Sequence, residues 1–190
     1  MKQKIEGTLR HYKKKRIRGK NLIPSAVLMP LFCYQGEVHI LFTKRTEEVD
    51  NHKGQVCFPG GVRQPDDSGS LGVALREANE EIGLKAHDVE ILGELDDAMT
   101  LGTGYLISSF VAFIPYPYPF KANEKEVDEI FSVPLSAFLE GKAQFKQDRQ
   151  ASEEVGGPAY TYEYEGHIIW GATARILTQF IELLRESNIK

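Results

Sequence analysis

Residues 60–84 read GGVRQPDDSGSLGVALREANEEIGL, and the second half of this stretch has the period of a helix. Leu71, Leu75, Ala78 and Ile82 recur at spacings of four, three and four, which at about 100° per residue gathers them into one apolar stripe. On the same wheel Glu77, Glu80 and Glu81 fill an arc of about 100° outside that stripe. Gly83 stands where a left-handed residue ends a helix, with Leu84 placed for the usual apolar contact beyond it. Upstream, Gly60-Gly61, Pro65 and the run Asp66 to Ser70 form a shaped loop with an N-cap at Ser68 or Ser70.

Acids four apart on one helix repel by on the order of a few tenths of a kcal/mol, and only Arg76 is interspersed among these three. A hard cation such as Mg²⁺, which takes oxygen ligands from carboxylates and substrate phosphates, relieves that repulsion. The plainer reading of an acidic helix face is solvation. The company these glutamates keep decides between the two.

Gly61, Arg76-Glu77, Glu80-Glu81 and Gly83-Leu84 together resemble the signature box of the Nudix hydrolases. Asp67 takes the first acidic position of that box. Eight residues rather than the usual seven separate it from Arg76, a spacing that resembles the coenzyme A branch of the family. A second stretch points the same way. Leu41, Thr43, Arg45, Gly54, Phe58, Pro59, Gly60 and Gly61 match in register an extra motif of that branch, with Phe42 and Thr46 as mild replacements. Asp50 departs from it, standing where the motif has a second arginine and replacing a phosphate-pairing fork with a repelling carboxylate. Lys44, Lys53 and Arg63 are the nearby cations available in its place. Near the other end, Asn123 to Val127, Val133-Pro134-Leu135 and Ile169-Trp170-Gly171 with Thr173 again resemble this branch.

The chain has 190 residues, enough for one domain with a full core and too few for two ordinary ones. Its 42% hydrophobic and 26% charged content is that of a soluble globular protein. No apolar run is long enough to cross a bilayer, and the N-terminus is too polar for a signal peptide. Cys33 and Cys57 sit in apolar, strand-like surroundings, which predicts buried thiols in a reducing cytoplasm rather than a disulfide framework. Residues 1–20 carry a net charge of +8, leaving −12 on the rest of the chain. An acidic body suits a metal-binding cleft and argues against a nucleic-acid groove. The basic stretch itself reads as a solvated helix or arm over residues 1–22, with polyphosphate or RNA contact the functional alternative.

In chain order, residues 2–20 predict a helix or arm ended by Pro24. Two apolar strands follow, Ala26 to Phe32 and Val38 to Thr43, joined at Gln35-Gly36. Neither alternates cleanly, so both faces should be buried, and Pro30 predicts an edge or a bulge. Further strands are expected at 89–93, 106–114, 131–133 and 160–164, with a short helix to Leu139 and a closing amphipathic helix burying Ile176, Phe180, Leu183 and Leu184. The tyrosines of the 115–119 Pro-Tyr run have two readings, packing and base stacking. So does His167, as a structural group or a base.

A mixed sheet between helices is the α/β (α+β) arrangement this order predicts. The resemblance, over about residues 26–180, implies the Nudix α/β/α sandwich in a single domain spanning 23–190. It implies a pyrophosphohydrolase in which Glu77, Glu80 and Glu81 hold Mg²⁺ or Mn²⁺ together with the Gly60 carbonyl, while Arg76 orients Glu80. Arg45, Lys53, Gly54, Phe58 and Gly61 become the candidate substrate-binding residues, and Glu126 or Glu129 a further acid. The implied substrate is coenzyme A or an acyl derivative, cut to 3′,5′-ADP and 4′-phosphopantetheine. Another nucleoside diphosphate derivative is the alternative that Asp50 favours, and a non-catalytic nucleotide sensor is the alternative outside enzymology. The partner is thus a small nucleotide, with no membrane; a homodimer is compatible with the reading.

Overall fold

Ile23–Tyr34 forms β1, the longest strand among the described residues and the one about which the others assemble. The structure, a computed structural model, describes residues 1–19, 21–47, 54–100, 104–148 and 159–189. Among these, α1 (Lys2–His11) precedes β1, followed by β2 (Glu37–Arg45), β3 (Val56–Cys57), β4 (Gly60–Val62) and α2 (Gly69–Ile82). After a 3₁₀ turn at Ala86–Asp88 come β5 (Glu90–Glu94), β6 (Ala98–Met99), β7 (Tyr105–Phe113), β8 (Val127–Pro134) and α3 (Leu135–Leu139). The described chain closes with β9 (Gln144–Asp148), β10 (Ala159–Tyr164), β11 (His167–Trp170) and α4 (Gly171–Glu186).

β1 to β8 join in one mixed sheet, and β9 to β11 form a smaller antiparallel one. The β1–β2 hairpin turns through Gln35 and Gly36, both at positive φ, the two-residue geometry whose twist matches the strands it joins. β1 lies inside the sheet rather than at its edge. It runs parallel to β7 on one side, and on the other pairs first with β4 and then with β2. Pro30 falls between the β4-paired stretch, which ends at Val27, and the β2-paired stretch, which begins at Leu31. The alternation that sends the Leu28 N–H to the Pro59 carbonyl aims the missing donor of Pro30 at this change of partner, where no ladder bond is lost.

The sheet buries both faces, as its unbroken apolar strands require. Ala26, Leu28, Phe32 and Phe110 pack beneath α2, while Met29, Leu31, Ile40 and Phe42 pack toward α1, α3 and α4. This is the α/β/α sandwich the sequence predicts. β3, β4, β6, β9 and β11 were not foreseen; each has five residues or fewer. The N-terminal stretch is helical only to His11, and Ile5 and Leu9 insert into the core, so this basic segment is not merely a solvated arm. Cys33 is exposed, contrary to expectation, because it lies where β1 has run past its pairing with β7. The Pro-Tyr run packs: Tyr116 stacks on Phe32, and the Tyr118 hydroxyl donates to Asp88.

Candidate active site

α2 exists because one face fits the sheet, and that face is not centred where the leucines alone would put it. Val73, Ala74, Ala78, Glu81 and Ile82 are buried, whereas Leu71 and Leu75 are only half-buried. The inward face is therefore rotated toward the acids, and Glu81 lies within it at 1% exposure. This corrects the expectation that all three glutamates lie outside the buried stripe. Small Ala74, beside the predicted stripe, and Ala78, within it, let the helix sit close on β1, and a stripe that leaves Ala74 out is centred too near the leucines. Gly83 ends the helix at φ 70° as predicted, its N–H reaching the Asn79 carbonyl while that of Leu84 reaches Ala78. Ser68 is the N-cap residue, but its side chain makes no capping bond.

Two elements from far along the chain close on Glu81. The Gly60 N–H donates to its Oε2 at 3.2 Å, and Arg45 Nη1 lies 3.4 Å from its Oε1. Burial pushes this carboxyl up to about 8, a rise that Arg45 opposes and the neighbouring Glu77 reinforces. Burial likewise raises Glu77, against the pull of Arg76. Glu126 lies beyond β7 in the sequence, yet its charge raises both carboxyls. The Asn123 side chain donates to Glu126 at 3.1 Å, and the Asn123 N–H donates to the Glu81 carbonyl at 2.9 Å. Asn123 thus ties this loop to α2, a role its sequence signal, an asparagine three before a glutamate, did not disclose.

Arg76 is the hub of the helix surface. Its Nε and Nη2 make a fork on Asp67 at 2.9 and 3.1 Å, Nη2 also donates to the Val62 carbonyl, and Nη1 lies 2.8 Å from Glu77 and 2.7 Å from Glu80. The fork holds Asp67 below the usual carboxylate range and pins the 62–67 loop to the helix. Glu80 is half-exposed. The two glycines ahead of the loop serve different ends. A side chain at Gly60 would run into the backbone of Ala26 and Val27, whereas one at Gly61 would occupy the place of the Glu77 carboxylate.

Other candidates are placed elsewhere. Phe58 is 2% exposed and stacks on Phe42 at 5.0 Å, so it is a core residue and not a surface for substrate; its aromatic bulk fills the space below β2. Gly54 adopts φ 63° in the turn where its N–H meets the Thr46 carbonyl, a need of the backbone itself. Glu129 pairs with His167 at 3.1 Å, and His167 stacks on Phe131, so these two satisfy each other on β8 and β11. Cys57 is pushed up to about 11 by burial, which excludes it as a thiolate nucleophile at neutral pH. Lys53 and Asp50 lie outside the described residues.

The donor set suits a hard divalent cation. Glu77 and Glu81 are oxygen donors in poorly solvated positions, each raised in part by the other acids around it, the surroundings in which a bound cation is most stabilising. Among the described residues no three acidic, histidine or cysteine side chains already close on one point. Glu77 and Glu80 are turned onto Arg76 Nη1.

Comparison with known proteins agrees with this geometry. Residues 23–155 match the model of the NUDIX domain. The chain is 37% identical over 160 residues to the Nudix hydrolase NudL of Photorhabdus laumondii, covering 83% of each chain. It is 37% identical over 153 residues to NudL of Yersinia pestis, covering 80% of this chain and 75% of that one. Among solved structures, the MutT protein from Methanosarcina mazei aligns with a TM-score of 0.54 at 20% identity, over 94% of this chain and 99% of that one. A Caenorhabditis elegans Ap4A hydrolase aligns at 0.52 and 15% identity, over 63% and 85%. With the domain model spanning most of its length and relatives this similar, the chain belongs to the Nudix family, as a pyrophosphohydrolase acting on diphosphate linkages.

Proposed function

We propose that the substrate is coenzyme A or an acyl-coenzyme A, hydrolysed at its diphosphate to 3′,5′-ADP and (acyl-)4′-phosphopantetheine in the cytoplasm. The observation that carries the reading is the contact of the 43–61 stretch with α2. Arg45 and Gly60, both part of the run that resembles the coenzyme A branch, converge on the same carboxylate, Glu81. The run therefore belongs to the reaction site and not to a distant surface. The Arg45 guanidinium, which faces Glu81 from β2, is suited to an oxygen of the diphosphate.

Glu77, Glu80 and Glu81, with the Gly60 carbonyl, are the residues that would hold Mg²⁺ or Mn²⁺. The ion would neutralise charge on the phosphate oxygens and lower the pKa of water. Each residue has its own task. Glu81, raised toward neutrality and facing Arg45, is placed to hold or release a proton at its Oε1. Glu126 adds negative charge on the same side, tethered by Asn123. Arg76 is a positioning residue, aligning Glu77 and Glu80 on the helix and fastening the loop through Asp67. Gly61 leaves room for the Glu77 carboxylate beside the backbone. Water attack on phosphorus breaks the anhydride P–O bond, and the two phosphate products leave.

The test is a divalent-ion-dependent screen of coenzyme A, NADH, ADP-ribose and nucleoside triphosphates, with products identified by mass. Release of 3′,5′-ADP from coenzyme A at the highest kcat/KM supports the reading. Preference for any of the other three overturns it in favour of another nucleoside diphosphate derivative, the reading that Asp50 supports.

A further inference from the structure

The two arginines described at the site are already turned onto carboxylates. Arg76 is shared among Asp67, Glu77 and Glu80, and Arg45 lies against Glu81. A diphosphate adds negative charge to this acidic surface, and a guanidinium still free of carboxylates is the side chain best suited to receive it. Of the three cations that the sequence offers beside the 43–61 stretch, Lys53 lies outside the described residues. Lys44 pairs with Asp128 at 3.1 Å, and it shares a strand face with Phe42, which packs away from α2. Arg63 remains.

The fold puts Arg63 on the correct side. Gly61 stands opposite Ala26, which packs beneath α2, and a side chain at Gly61 would fall on the Glu77 carboxylate. The ladder continues for one more step, since the Arg63 N–H donates to the Pro24 carbonyl at 2.9 Å. Residues two apart on a strand share a face, so Arg63 projects on the α2 side, about 7 Å along the strand from Gly61. An arginine side chain spans such a gap with its stem on the surface and its head in water. Asp67 registers this position: its carboxyl is held down by Arg76 first, and by the charge of Arg63 as well.

The base of Arg63 is fixed while its head is free. The peptide group before it is held through the Val62 carbonyl by Arg76 and through its own N–H by Pro24. The peptide group after it is held where the Gln64 N–H donates to Asp67 Oδ2 at 2.7 Å. The side chain is exposed, and among the described residues its guanidinium has neither an ion pair nor a hydrogen bond. A cation on a pinned backbone loses less freedom on meeting a ligand than one on a loose loop.

We infer that Arg63 is a substrate-binding residue of this site, its guanidinium receiving a phosphate oxygen of the diphosphate from the loop side of α2. The inference deepens the reaction site described above. It rests on the diphosphate chemistry of the family and not on coenzyme A as the substrate. A contact made before the anhydride breaks holds ground state and transition state alike, so its loss falls on KM more than on kcat.

The experiment compares the full chain with Arg63→Gln and Arg63→Lys. Both substitutions keep every backbone bond of the segment. KM and kcat are measured with coenzyme A, or with ADP-ribose should coenzyme A not be hydrolysed. Calorimetry with α,β-methylene-ADP, a diphosphate that is not cut, is run at low and high salt, and Mn²⁺ affinity without nucleotide serves as control. Arg63→Gln should raise KM and weaken the methylene-ADP complex about tenfold each, and flatten the salt dependence of that complex. Arg63→Lys, a point charge without the fork, should recover part of the loss. Mn²⁺ affinity should not fall in either variant. An unchanged KM and methylene-ADP affinity in Arg63→Gln overturns the inference. So does a matching loss of Mn²⁺ affinity, or a fall in kcat with a lowered thermal midpoint, since either makes Arg63 a prop of the acids and their loop. Failure of coenzyme A as substrate alters only which compound is assayed, and the methylene-ADP result decides on Arg63 separately.

Discussion

A carboxyl as enclosed as Glu81 works against the fold that encloses it. Raised from 4.5 to about 8, it binds its proton more tightly folded than unfolded. In metal-free protein its penalty is absent below about pH 4.5, grows through the window between, and is complete above about pH 8. Glu81→Gln should therefore abolish turnover while raising the metal-free unfolding free energy at neutral pH by on the order of a few kcal/mol, and it should flatten the loss of stability between those limits. Denaturant titrations in chelator at several pH values check this; an unchanged pH profile would mean that Glu81 is not the group responsible. The adjoining glycines make a contrasting pair. Gly60→Ala meets the backbone of Ala26 and Val27 and should destabilise the protein by roughly 1–3 kcal/mol. Gly61→Ala meets only the movable end of Glu77, so the thermal midpoint should hold while kcat falls.

At the scale of elements, the join between loop and helix carries the candidate site. Arg76 and Asp67 form one unit, so Arg76→Ala and Asp67→Ala should each lower kcat, and the double variant should lower it by much less than the product of the two. Fully multiplicative losses would show that the loop is anchored some other way. The extent of α2 was legible in the sequence, since Gly83 and the acid-rich turn have local causes. Its rotation was not. Ala74, which the predicted stripe of Leu71, Leu75, Ala78 and Ile82 leaves out, is buried because α2 lies close against β1, a fact of packing that the wheel does not carry. Phe58 failed in the same manner: a motif position carries no label for the side of the sheet it faces, and β3 turns it inward onto Phe42. Glu129 and His167 were candidates taken singly, and only the meeting of β8 and β11 pairs them.

Across the whole molecule, α1 belongs to the core although its composition advertises a solvated tail. Ile5 and Leu9 are buried, and Leu9 leaves no space for a side chain at Gly93. Leu9→Ala should accordingly destabilise the protein by about 2–5 kcal/mol in denaturant titration, where a frayed arm would leave the midpoint unmoved. By itself the sequence determined the family, the helix and its ending, and the hairpin turn, and it singled out the candidate acids, because those follow from residue type at short spacing. Tertiary structure alone decided that Glu81 is buried and that Arg45, Gly60 and Asn123 converge on it. Burial and charge pairing arise between residues far apart in the chain, and no local pattern encodes which of them will meet.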